Sequence, residues 1–212
     1  MPPRLHTTPR KTPNQDRAKA TVEAILTATA QVLVKDGYDG ASTNKIAAQA
    51  GVSIGSLYQY FPSKEALVAE LLDRHLADMM HVFDETVLRV ADAPIPVATC
   101  ELVHAMIEAH AINPKLHKIF AEQTPRTGRL QRIGEIERYV ADRLRVYLEM
   151  HRAALRPKNL DLAVFLLVQL VEAAGHGVVL NPRQAFDTEE LAREVSNICL
   201  AYLLGPDAVT AT

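Results

Sequence analysis

Thr43, Ser56, Tyr58, Gln59, Tyr60 and Lys64 place hydroxyl, phenol, carboxamide and ammonium groups in one short stretch of chain. No general base accompanies the hydroxyls, so the chemistry on offer is hydrogen bonding rather than bond making. Hydroxyl, phenol and ammonium groups suit phosphate oxygens, and a carboxamide can pair with the edge of an adenine. The elements that must hold these groups follow from spacing. Ile46, Ala47 and Ala50 recur at helical intervals behind Ser42 or Thr43, either of which can cap a helix. Gly51 then breaks the pattern, since glycine enters a left-handed turn without a Cβ penalty. Ser53 can cap a second short helix in which only Leu57 and Phe61 face inward, leaving Ser56, Tyr58, Gln59 and Tyr60 outside. Pro62 restricts Phe61 and lacks an N–H, so the helix stops there. A short helix with polar and phenolic tips, braced by another helix, fits a DNA major groove.

The surrounding pattern is helical throughout. Val22, Ile25, Leu26, Thr29, Val32 and Leu33 form one apolar stripe of a helix from about Arg17 to Asp36, with Gly37 as its stop. Ser63 caps a long fourth helix, about residues 64–90, whose stripe runs from Val68 through Leu72, Met79 and Phe83 to Val90. Further helices are expected at about 97–111, 115–123, 129–153, 160–180 and 188–204, punctuated by proline pairs such as Asn113-Pro114 and Asn181-Pro182. No two-residue alternation and no hairpin signal appears, so the predicted fold class is all-α.

Net charge is −2, which looks wrong for a DNA binder until it is divided. Residues 1–64 carry eight Lys or Arg against four acids, and the remainder carries fifteen against twenty-one. A positive end and an acidic body suit an electrostatic footprint confined to one domain. Residues 1–16, with four prolines and Arg4, Arg10 and Lys11, read as a disordered basic arm, either solvated or tracking phosphates. No charge-free apolar run approaches twenty residues and the start is basic rather than apolar, so neither a membrane span nor a secretory signal is expected. Cys100 and Cys199 fit no metal or redox spacing, and a cytoplasmic protein is the simpler reading. None of the eight histidines pairs with another at i, i+4, so no metal site is expected, and no cofactor. Ser/His/Asp, Cys/His and phosphate-loop signatures are missing as well, which argues against an enzyme. Arg126, Arg129 and Arg132 read as a solvated face.

The run from Ile25-Leu26 through Asp36-Gly37-Tyr38, Thr43, Ile46-Ala47, Ala50-Gly51-Val52-Ser53, Gly55, Leu57-Tyr58, Tyr60-Phe61 and Ser63-Lys64-Glu65-Ala66-Leu67 resembles the amino-terminal domain of TetR-type transcriptional regulators. The resemblance covers about the first third of the chain and implies a three-helix helix-turn-helix domain. A long fourth helix would join it to a larger helical ligand-binding and dimerisation domain. The boundaries expected are 1–16 for the arm, 17–62 for the DNA-binding domain, 63–206 for the second domain and 207–212 for a tail. By the same resemblance Tyr58, Tyr60 and Lys64 grip the DNA backbone, while Ile54, Gly55, Ser56 and Gln59 lie nearest the bases. Thr43 can offer a phosphate its hydroxyl and its backbone N–H. Helix three carries no Arg or Asn, so sequence choice is expected to lean on DNA shape as well. The implied function is a ligand-responsive regulator, more often a repressor, acting on a near-palindromic double-stranded operator. A homodimer would set two recognition helices about 34–36 Å apart.

Helix 160–180 is apolar almost all round, so it must be covered on more than one side. With the helix near 188–204 it can form half of a four-helix bundle across a two-fold axis, the way the resembled family dimerises. Gln169, Glu172 and His176 interrupt the apolar surface as one polar seam. That seam is either satisfied at the dimer interface or its edge, or it faces an internal cavity and orients a small-molecule effector there. Phe83, Met106, Phe120, Tyr139, Tyr147 and Phe165 could wall such a cavity, or be plain core. The competing reading is a helical protein-interaction adaptor, or a small-molecule-binding bundle without DNA binding.

Overall fold

The computed structural model describes residues 16–127, 129–180 and 187–209. The expected basic arm, apart from Asp16, lies outside the described residues, as do the last residues of the tail. Among the described residues every regular element is a helix: α1 Asp16–Gly40, α2 Thr43–Ala50, α3 Ile54–Tyr60, α4 Lys64–Arg89, α5 Ile95–Ala111, α6 Pro114–Thr127, α7 Leu130–Met150, α8 Leu160–Leu180 and α9 Thr188–Leu203. Short 3₁₀ turns follow at Arg152–Ala154 and Pro206–Val209, so the expected tail begins with an ordered turn.

The chain divides into two compact units, Met1–Ala77 with Lys115–Gln131, and Asp78–Pro114 with Arg132–Thr212. The first unit therefore takes in α6 and the start of α4, beyond the boundary expected at Pro62. The reason is packing: Ile119 and Phe120 of α6 bury in the same core as Ile25, Leu33, Ile46, Leu57 and Phe61.

Local chemistry sets each end in this unit. The regular part of α1 ends at Gly37, whose φ of 73° takes it out of the helical region. Ser42, not Thr43, caps α2, its hydroxyl accepting from the Lys45 N–H at 3.3 Å. Gly51, at φ 67°, closes α2 by donating to the carbonyls of Ala47 and Ala48. Ser53 caps α3 by accepting from the Ser56 N–H at 3.0 Å. The chain leaves α3 at Phe61 in extended conformation, as a residue before proline should. Arg129 is less exposed than a solvated arginine, because it makes a forked ion pair with Asp73, with Nη2 at 2.6 Å from Oδ2.

In the second unit α5 packs against both α8 and α9. Val103, Ile107, Leu148, Val164, Leu167, Val195 and Leu200 form its core. The window Leu160–Gly177 is long and apolar enough to suit a membrane by composition alone. Its Asp161 pairs with Arg145 at 2.6 Å, its Glu172 approaches His110 at 3.4 Å, and Ala163, Val164 and Leu167 bury in the protein core. One face of α8 nonetheless stays uncovered, with Leu162, Phe165 and Leu166 exposed.

Leu57 and Phe61 hold α3 down, being 0% and 1% exposed, while its cap fixes only one end. Urea unfolding of Phe61→Ala is expected to show a loss of about 3–5 kcal/mol, and of Ser53→Ala about 1 kcal/mol.

Candidate DNA interface and second-unit cavity

α3 turns its inner face to the core through Leu57 and offers Ile54, Gly55, Tyr58 and Gln59 to the exterior. Tyr58 crosses back to the start of α2, where its hydroxyl lies 3.0 Å from Thr43 Oγ1. Thr43 is the first residue of α2, so its backbone N–H is among those that a helix leaves unpaired. Two hydroxyls and an N–H at a helix amino terminus thus converge where a phosphate oxygen can sit.

The remaining expected contacts are less uniform. Ser56 is half-buried and its hydroxyl is 2.8 Å from that of Ser53, so it serves the cap as well as the surface. Tyr60 is also half-buried and packs on the first core, so it is not simply outward as its position in the sequence suggests. Lys64 is drawn inward: its Nζ donates to the carbonyls of Tyr38 at 2.8 Å and Ala41 at 3.2 Å and rests 4.0 Å from the Tyr38 ring centroid. Three donors less two leaves one for a phosphate. Lys64 thereby ties α4 to the α1–α2 connection, a structural role that the sequence did not reveal. Gly55 is exposed, and a Cβ there would meet nothing closer than Ser53 Oγ at 3.8 Å. Nothing inside the protein requires glycine at that position.

Lys45 and Gln49 of α2, passed over in the sequence, are exposed and bond back to α1. Lys45 is held by Asp36 at 2.7 Å and by the Gly40 carbonyl at 2.9 Å. The hydrogen bond from Lys45 keeps the Asp36 carboxyl below its usual range. Gln49 donates to Gln31 at 2.8 Å.

The second unit carries a half-open cavity of about 320 Å³. Its lining is mostly apolar, with Phe83, Leu102, Met106, Tyr147 and Val171 among the walls and Arg143 and Glu172 as its charged groups. Of the aromatics read from sequence as possible walls, Phe83 and Tyr147 are there. Phe120 instead belongs to the first core, Phe165 is exposed, and the Tyr139 hydroxyl donates to Asp84 at 2.8 Å.

The polar seam on α8 divides. Glu172 reaches the cavity, but Gln169 is exposed and is not part of its lining, and neither is His176. Gln169 lies on the uncovered side of α8 with Phe165 and Leu166, in keeping with the interface-edge reading of the seam. A residue missed in the sequence, His110 of α5, completes the buried end of the seam, its Nε2 3.4 Å from Glu172 Oε2. Burial opposes charge on His110, but the bond and charge of Glu172 outweigh it and raise its pKa. Burial alone would raise Glu172, yet His110 and His176 bring it below the usual carboxylate range. His176 is lowered, chiefly by burial.

Two family models match the chain: "Bacterial regulatory proteins, tetR family" over residues 25–71 and "Tetracyclin repressor-like, C-terminal domain" over residues 94–203. An uncharacterized HTH-type transcriptional regulator, YvkB of Bacillus subtilis, is 32% identical over 84 residues, 40% of this chain and 44% of that protein. The chain thus spans less than half the length of that relative. The DNA-binding transcriptional repressor TetR of Mycobacteroides abscessus is 27% identical over 161 residues, 66% of this chain and 85% of the other. The fold is shared with the transcriptional regulator FadR from Bacillus subtilis in complex with stearoyl-CoA, at a TM-score of 0.65 and 20% identity over 83% of this chain and 96% of that one. With α2 and α3 inside the first match and most of the second unit inside the second, the chain belongs to the tetR family of bacterial regulatory proteins.

Proposed function

We propose that this regulator is a homodimeric repressor that grips a near-palindromic operator through α2 and α3 and releases it when an apolar effector enters the second unit. The observation that carries the DNA contact is the Thr43–Tyr58 hydroxyl pair at the start of α2, beside an α3 face whose apolar anchors are buried. Thr43, Tyr58, Tyr60 and the remaining donor of Lys64 bind phosphates. Gln59 and Ser56 meet base edges, Ile54 a thymine methyl, and Gly55 lets the helix come close.

The uncovered apolar face of the second unit supports the dimer. Leu162, Phe165 and Leu166 of α8 and Ile198 and Tyr202 of α9 are exposed, more apolar surface on one bundle than a monomer usually leaves to water. A second copy meeting these helices across a two-fold axis makes a four-helix interface and puts Gln169 at its edge.

For the effector, the cavity suits a largely apolar molecule with one polar group near Arg143 or Glu172. The neighbour solved with stearoyl-CoA supports a ligand of that character. α4 contributes to both units along one covalent helix, so a ligand that favours one of two α4 arrangements changes DNA affinity. The change can be no larger than the ligand's differential affinity for those arrangements.

Fluorescence anisotropy with duplexes from the promoter beside its own gene tests the DNA contact. Tyr58→Phe weakens specific and random duplexes alike, by about 1 kcal/mol for one hydrogen bond. Gln59→Ala changes which bases are tolerated, and Gly55→Ala leaves the melting temperature unaltered or raised while binding falls. Wild-type levels of binding in all three variants would remove α3 from the interface.

Sedimentation velocity tests the assembly. Phe165→Glu is expected to convert the dimer to a folded monomer and to cost operator binding steeply, because each half then reads its site alone. A dimer unaffected by this change would place the interface elsewhere.

A further inference from the structure

The cavity of the second unit has a floor and a rim of different character. Phe83, Leu148, Leu167 and Leu203 line it and are buried, whereas Leu88, Val146 and Met150 line it while 71%, 62% and 65% exposed. Arg143 belongs to the exposed part of the lining. On α7 it stands three residues before Val146 and seven before Met150, so the three share one helical face. A cation thus stands beside an apolar strip on the open side of the cavity.

The surroundings of that cation set it apart from the other arginines of α7. Arg132 pairs with Glu135 at 3.6 Å and Arg145 with Asp161 at 2.6 Å, while Arg138 Nε donates to the Gly134 carbonyl at 3.1 Å. Arg143 pairs with no carboxylate among the described residues, and its guanidinium lies 5.9 Å from the Tyr139 ring centroid. Asp84, the acid next to that ring, instead accepts the Tyr139 hydroxyl at 2.8 Å. Glu172, the other charged group of the lining, is already matched, with His110 Nε2 3.4 Å and His176 Nδ1 3.9 Å from its carboxylate. A ligand cation at Glu172 would compete with two imidazoles. A ligand anion at Arg143 displaces no ionic partner, so the charge left to be complemented is positive.

We propose that the effector is an anionic amphipath whose apolar body fills the cavity and whose carboxylate or phosphate head lies on Arg143 at the rim. This rests on the reading of the cavity as the effector site and names which of its two charged groups receives the ligand. A guanidinium donates two parallel N–H bonds to either head. A volume of about 320 Å³ suits a body of modest size. Such a ligand also takes the exposed side chains of Leu88, Val146 and Met150 out of water, which rewards an apolar body joined to the head.

Isothermal titration calorimetry of the full-length chain tests this with decanoate, decyl phosphate, decanol and decyltrimethylammonium, whose common flexible chain leaves head charge as the variable. At least one anion is expected to bind about 10-fold tighter than decanol, as one charge-assisted contact allows. The cation is expected to bind more weakly than decanol, and the tighter anion identifies the head as carboxylate or phosphate. Arg143→Gln is expected to weaken that anion by about 10-fold and leave decanol unchanged. Arg143→Lys falls between, because the charge stays and the fork is lost. Arg143 is exposed, so both variants keep the fold. Arg145→Gln is the control on the same helix, expected to bind as the parent does. Added salt should loosen the anion and not the alcohol. Decanol or the cation bound as tightly as both anions, or anion affinity untouched by Arg143→Gln, overturns the proposal. Anisotropy of the promoter duplex with the anion added tests the effector reading separately. An anion held through Arg143 while the duplex stays bound would contradict release and leave the charge preference standing, whereas no binding by any of the four probes would overturn both.

Discussion

The burial of Leu57 and Phe61 is the contact from which the DNA-facing surface follows. A seven-residue helix cannot hold itself together in water, and its cap contributes only about 1 kcal/mol. Both anchors sit in a core shared by α1, α2, α4 and α6, so the orientation of α3 is set by side chains from across the first unit. With that face fixed, the rest of the helix has to point outward. Tyr58 then reaches the amino terminus of α2, and two elements become one polar surface. Lys64 reinforces this from behind by holding the carbonyls of Tyr38 and Ala41. Leu57 and Phe61 only support the surface, whereas Ser56, Tyr60 and Lys64 both brace it and take part in it.

The second unit is organised around α8, which answers three demands at once. Ala163, Val164 and Leu167 belong to the core, Val171 and Glu172 to the cavity wall, and Leu162, Phe165 and Leu166 to an exposed apolar face. A helix apolar on nearly every side is what such a position requires. Its few polar residues mark where those demands change, which explains why Glu172 is held by His110 whereas Gln169 is left at the surface.

Local signals in the sequence were enough for the first unit's helices. Gly51, Ser53, Pro62 and the Leu57–Phe61 spacing act over a few residues, and the caps fall where those residues put them. What escaped the sequence depends on distance along the chain. Lys64 meets carbonyls more than twenty residues earlier, α6 enters the first core from beyond α5, and His110 meets Glu172 across two helices. On α8 periodicity was silent, because a helix apolar all round has no preferred face, and Gln169 and Glu172 looked alike. Glu172 and His176 were legible as one polar seam, but nothing on α8 pointed to His110 on α5.

Hydrogen exchange of the full-length protein, alone and with saturating promoter duplex, tests the central claim most directly. Protection is expected at the start of α2 around Thr43 and along Ser53–Tyr60, with the exposed face of α8 and α9 exchanging as in the free protein. Unchanged exchange from Thr43 to Tyr60, while DNA is demonstrably bound, would mean that this outward polar surface is not what meets the double helix.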